Sequence, residues 1–148
     1  MPFEGGPYVQ VATFCERVLE EKDGVLSLIR VVDRITNTAT GPGTPQTMQP
    51  FQHQLILVLA LKTGQAQGGH NLRIVRELPS GIREESKAAS FRIHFEGGPD
   101  RGQNLVLQMQ IAFEQEGLYW FDVFLEEQLL TRLPLRVVYA RIAGAGQA

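Results

Sequence analysis

"GLYWFDVFLEEQLLTRLPLRVVYA", Gly117 to Ala140, reads as two strands joined by a tight turn. Tyr119, Phe121, Val123 and Leu125 recur at every second position, with Asp122 and Glu126 on the opposite side. That two-residue period is the signature of a pleated strand with one face in a core. The chain turns around Glu126–Gln128, and Leu133, Leu135, Val137 and Tyr139 line the returning strand. Pro134 has no N–H to donate, which predicts an edge strand or a bulge there.

The same period recurs upstream. "FRIHF" sets Phe91, Ile93 and Phe95 on one side, and "LVLQMQIAF" sends Leu105, Leu107, Met109, Ile111 and Phe113 inward. "NLRIVREL" aligns Leu72, Ile74 and Leu78, with Arg76 interrupting the apolar row. "LILVLAL" (Leu55–Leu61) is apolar on both faces and reads as a central, covered strand. Together these predict about eight strands, near residues 8–19, 24–35, 54–62, 71–78, 88–95, 104–113, 118–126 and 130–140. No long helix competes, although Pro79–Ala89 has room for one helical turn. The expected fold is all-β: a single antiparallel β-sandwich of about seven or eight strands over residues 1–148, with Ig-like or related Greek-key topology. Residues 1–7 and 141–148 are expected to be flexible, and 36–54, rich in Thr, Gly and Pro, to form a long functional or flexible loop.

Composition narrows the classes. At 148 residues the chain is one domain with enough mass for its own core. Fourteen Lys plus Arg against sixteen Asp plus Glu leave a formal charge of −2. No basic run is present, so neither nucleic acid nor an anionic membrane is an expected partner. The N-terminal "MPFEGGPYVQ" has no secretory pattern, no apolar run is long enough to span a bilayer, and the single cysteine suits a reducing compartment. The expected location is the cytoplasm. "FEGGP" occurs twice, at Phe3–Pro7 and Phe95–Pro99. With different flanks and no longer period, both copies read as turns.

"TFCERVLEEKDGVLSLIRVVDRI" (Thr13–Ile35) holds Cys15 and a dense set of charges. Thr13 and Glu16 have capping-box spacing, but the alternation upstream, the "EKDG" turn and the β-branched run downstream favour a hairpin with a bulge between Thr13 and Val18. Cys15 is expected in the core rather than as a nucleophile. "CERVLEEKDGVLSLIRVVDRI", a later "LILVLAL"-like run and the closing "GLYWFDVFLEEQLLTRLPLRVV" resemble a family of bacterial proteins of unknown function, from Val9 to Val138. Its members have an Asp-Gly turn before a "lsliGvfdrI"-like strand and a closing "G-x-Y-x-F-x-V-x-L-x-G" hairpin. The resemblance implies a β-sandwich and supplies no catalytic residues. This chain departs from the pattern where glycine is usual, at Arg30 and at Glu127.

Catalytic, cofactor and metal motifs are not expected. His53, His70 and His94 are scattered, "TGPGTP" lacks the Lys and spacing of a P-loop, and the Glu20-Glu21, Glu84-Glu85 and Glu126-Glu127 pairs suit solvated turns. Trp120, Phe124 and Val138 point away from the core face of the final hairpin. That second apolar face needs cover from a partner or from the 36–54 loop with Met48 and Phe51, which makes these five residues the candidate interface. The expected function is non-enzymatic protein–protein contact, including self-association. The alternative is a small-ligand-binding or enzymatic sandwich, with a site between the 36–54 and 64–70 loops.

Overall fold

The computed structural model describes residues 5–142, the side chains of residues 86–88 excepted. Nine strands follow in order: β1 Tyr8–Glu20, β2 Leu26–Val32, β3 Arg34–Thr40, β4 Phe51–Lys62, β5 Gly68–Glu77, β6 Arg83–Phe95, β7 Gly102–Phe113, β8 Gly117–Leu125 and β9 Gln128–Ile142. They form a four-stranded sheet, β2-β1-β4-β7, packed on a five-stranded sheet, β3-β9-β8-β5-β6.

Between the sheets lie the alternating residues that the sequence marks. Leu55, Leu57, Leu59 and Leu61 of β4 are buried against Tyr119, Phe121, Val123 and Leu125 of β8 and Leu133, Leu135 and Val137 of β9. Each fully buried leucine contributes about 1.5–3 kcal/mol. Phe14 of β1 meets Phe121 edge-on at 5.0 Å, and Phe113 of β7 meets Tyr119 in the same way at 5.0 Å.

The connections cross between layers in Greek-key order. β4 leads to β5 and β6 in the other sheet, β7 returns beside β4, and β8 enters next to β5. The Tyr119 hydroxyl donates to the Gln115 carbonyl at 2.6 Å, tying the β7–β8 corner as the tyrosine corner does in immunoglobulin sandwiches.

Several expectations are revised. The expected 24–35 strand breaks at Asp33, and β2 and β3 belong to different sheets. β3 pairs with β9 in parallel, so the sandwich is not wholly antiparallel. β9 is therefore interior rather than an edge. Its pairing with β3 begins at Arg136, so at Pro134 only the β8 side is occupied and a missing donor is tolerated.

The long 36–54 loop shrinks to 41–50 and is pinned down. Tyr139 donates from its hydroxyl to the Pro45 carbonyl at 2.8 Å, Arg141 bonds Thr44 and Gln46, and Met48 is in the core. Thr13–Glu20 is strand, and the register slip falls at Val9/Val11, upstream of its expected place. Pro79–Ile82 is a turn without a helix. Of the terminal segments, only residues 5–7 and 141–142 lie within the described range, and β9 extends through Ile142.

Two deviations from glycine acquire a meaning. Arg30 has φ 58° and the final turn places φ 53° at Glu126, both in the left-handed region that glycine occupies without steric cost. The strained turn residue is thus Glu126, the neighbour of the position read from sequence. Its carboxylate accepts the Asn71 N–H at 2.9 Å, an offsetting contact that glycine could not make.

Candidate functional site

Cross-strand neighbours share a face, so the ladder registers give the composition of each outer surface. On the five-stranded sheet, Trp120, Asp122 and Phe124 of β8 point outward beside Arg73, Val75 and Glu77 of β5. Asp122 is buried to 3% exposure, and Arg83 and Arg132 donate to its two oxygens at 3.0 and 2.6 Å. The contact with Asp122 holds the Arg83 pKa above its usual value. Arg83 and Arg132 also reach Glu77, at 3.2 and 3.6 Å. The guanidinium of Arg132 stacks 4.5 Å over Trp120, and that of Arg73 stacks 4.6 Å over Phe124 while pairing with Glu85 at 2.7 Å.

The five residues expected to form one interface are therefore dispersed. Trp120 and Phe124 are half-buried under arginines of their own sheet, Val138 sits on β9 opposite Thr36, Met48 is core, and Phe51 packs on Phe113 at 5.6 Å. The apolar outward positions were legible; their cover by Arg73 and Arg132 depends on strand pairing that local pattern does not contain.

The four-stranded sheet has a different outer face. Val31, Cys15, Ile56 and Gln108 form one cross-sheet row; Thr13, Val58 and Val106 form the next; Val11, Ala60 and Asn104 a third. Cys15, Val58 and Ala60 are buried at 0%, 1% and 9% exposure, small enough for adjacent rows to shield them. Val31 and Val106, by contrast, are exposed at 61% and 41%. These rows carry no charge; Arg17 and Lys62 stand beyond them at opposite ends. Cys15 is thus buried as expected, but behind the core rather than in it. Burial pushes its thiol pKa up, against a smaller downward pull from the Arg17 backbone; the thiol itself donates weakly to the Arg17 carbonyl at 3.5 Å. This is a poor setting for a nucleophile.

The 41–50 and 63–67 loops flank opposite ends of the twelve-residue β4, so no single site gathers them. At the second end, His70 Nε2 donates to the Gln67 carbonyl at 3.0 Å and Nδ1 lies 3.4 Å from Glu126. Those contacts fasten β5 to the final turn. Both "FEGGP" segments serve this end: the carbonyls of Gly5 and Pro99 accept the N–H groups of Gln65 and Gly64. Among the described residues no group of three or more His, Cys, Asp or Glu could hold a metal ion, and no helix is long and apolar enough to cross a membrane.

A two-sheet Greek-key sandwich with a tyrosine corner and a parallel β3–β9 pair defines an immunoglobulin-like all-β class. Within it, the chain belongs to the Family of unknown function (DUF6941), whose model matches residues 10–138. Among solved structures it is similar to an immunoglobulin-like protein (PA1606) from Pseudomonas aeruginosa, at 13% identity and a TM-score of 0.35, over 89% of this chain and 96% of that one. No curated protein matches the chain.

Proposed function

We propose that the protein is a non-enzymatic protein-contact module that associates with a second copy of itself through the outer face of the four-stranded sheet. The observation behind this reading is the charge-free surface with Val31 and Val106 exposed at 61% and 41%. Apolar patches of this kind mark contact sites in soluble proteins. A two-fold contact brings a patch against its own copy, and a neutral patch does so without like-charge repulsion. The ionic face of the other sheet offers no comparable surface, because a partner there would have to desolvate paired arginines.

Light scattering on wild type and on a Val31→Asp/Val106→Asp double variant tests the reading. The expected result is a dimer that becomes a folded monomer in the variant, with an unchanged far-UV circular dichroism spectrum because both sites are exposed and an unfolding midpoint that no longer depends on protein concentration. A strictly monomeric wild type overturns it.

A further inference from the structure

The two sheets differ by one strand, and the missing strand has a location. Phe14 of β1 and Phe113 of β7 both lie against β8, while Arg76 of β5 donates to the Ala112 carbonyl of β7 at 2.5 Å. β8 therefore faces β4, β5 faces β7, and among the described residues β6 has no strand opposite it. Exposure agrees with this placement. Phe91 of β6 and Leu105, Leu107 and Met109 of β7 point between the sheets yet are only half-buried, whereas Ile74 and Phe121 deeper in are buried. The result is an open cleft of about 870 Å³ running along Val106–Ala112, with Arg76 paired to Glu84 in its wall.

Among the described residues no strand pairs with the edge that borders this cleft. β7 pairs with β4 through twelve consecutive positions with no register shift, and "GQNLVLQMQIAF" contains neither charge nor proline. Free sheet edges are ordinarily blunted by charges, kinks or shortness. The other edges here follow that rule: β2 has seven residues with a left-handed backbone at Arg30, β3 has seven residues, and β6 carries Arg83, Glu84, Glu85, Arg92 and His94. Among the described residues the main-chain donors and acceptors of this edge are met only at Ala112, by Arg76, and the row lies beside a half-filled apolar cleft; the two call for something that satisfies both.

We infer that β7 is a strand-acceptor edge. An extended segment of a partner protein pairs with β7 as the fifth strand of the smaller sheet, and its inward side chains, apolar at alternate positions, fill the cleft beneath β6. Backbone pairing supplies affinity and the alternate side chains supply selectivity. About seven residues, roughly 23 Å, match the length of the cleft. A small amphiphile would fill the cleft but leave the β7 backbone unpaired. A symmetric β7-to-β7 dimer does not fit either, because β6 of each copy would occupy the place of β5 of the other.

Selection from a random library of twelve-residue peptides against the immobilised protein tests this independently of its oligomeric state. Recovered peptides are expected to alternate apolar and polar residues and to protect alternate β7 amides between Val106 and Ala112 from hydrogen exchange. N-methylation of alternate peptide nitrogens should abolish binding, and Met109→Lys should weaken it at least about tenfold. Should the variant unfold, the N-methylated peptides carry the test on wild type. No enrichment, protection outside β7, indifference to N-methylation, or uptake of dodecanoate without any β7-pairing peptide overturns the inference.

Discussion

On the five-stranded sheet, Trp120 and Phe124 lie under the guanidinium planes of Arg132 and Arg73; on the four-stranded sheet, Val31 and Val106 stand open to solvent. Both surfaces carry apolar side chains away from the core. Large aromatic rings cannot be shielded by neighbouring strands, so long cations cover them and remain partly hydrated. Val58, Ala60 and Cys15 are small, and adjacent rows suffice to hide them. One face thereby becomes charged and self-contained, while the other stays neutral with valines open to solvent.

The largest effect in this comparison is expected at the centre of the ionic face. Asp122→Ala removes a buried carboxylate from between two arginines, which normally costs several kcal/mol. Arg83 and Arg132 retain side-chain exposures of 43% and 38% and can rehydrate, so the expected loss is about 2–3 kcal/mol by chemical denaturation. A loss below about 0.5 kcal/mol would reduce the network to surface decoration.

On the neutral face, Cys15 gives a smaller, pH-dependent effect. Its folded thiol titrates above the unfolded one because of burial. Below about pH 8 both states hold the proton and Cys15 adds no pH dependence. Above that, the unfolded chain loses its proton first, so wild-type stability should fall with rising pH more steeply than that of Cys15→Ala. Parallel curves for the two proteins would show that the thiol is not shielded.

The smallest effect is expected at the margin of the same sheet. Arg30→Gly relieves a left-handed backbone but gives up an exposed 2.8 Å contact with Glu16 and some rigidity of the unfolded chain. The net expectation is a gain of about 0.5–1 kcal/mol, read as a raised denaturation midpoint. A lower midpoint would show that the ion pair outweighs the strain.

Most of the strands were legible because each has a buried face, and a two-residue period records that directly. β3 was missed because "RITNTAT" is mostly polar: its burial rests on Ile35, and it is held by main-chain pairing to β9. The candidate surfaces were less legible. Arg76 stood out as an interruption in an apolar row, but only the packing of β5 against β7 makes it a wall of the cleft.

The sequence by itself determined the class of fold and the central place of "LILVLAL", since the hydrophobic period is a property of the chain. Only the tertiary structure decided which strands are edges, that Cys15 sits behind the core, and which apolar residues are covered. Edge and cover depend on pairings between residues far apart in sequence, such as Arg73 with Phe124 and Ile35 with Val137. Local pattern records which way a side chain points, but not what stands in front of it.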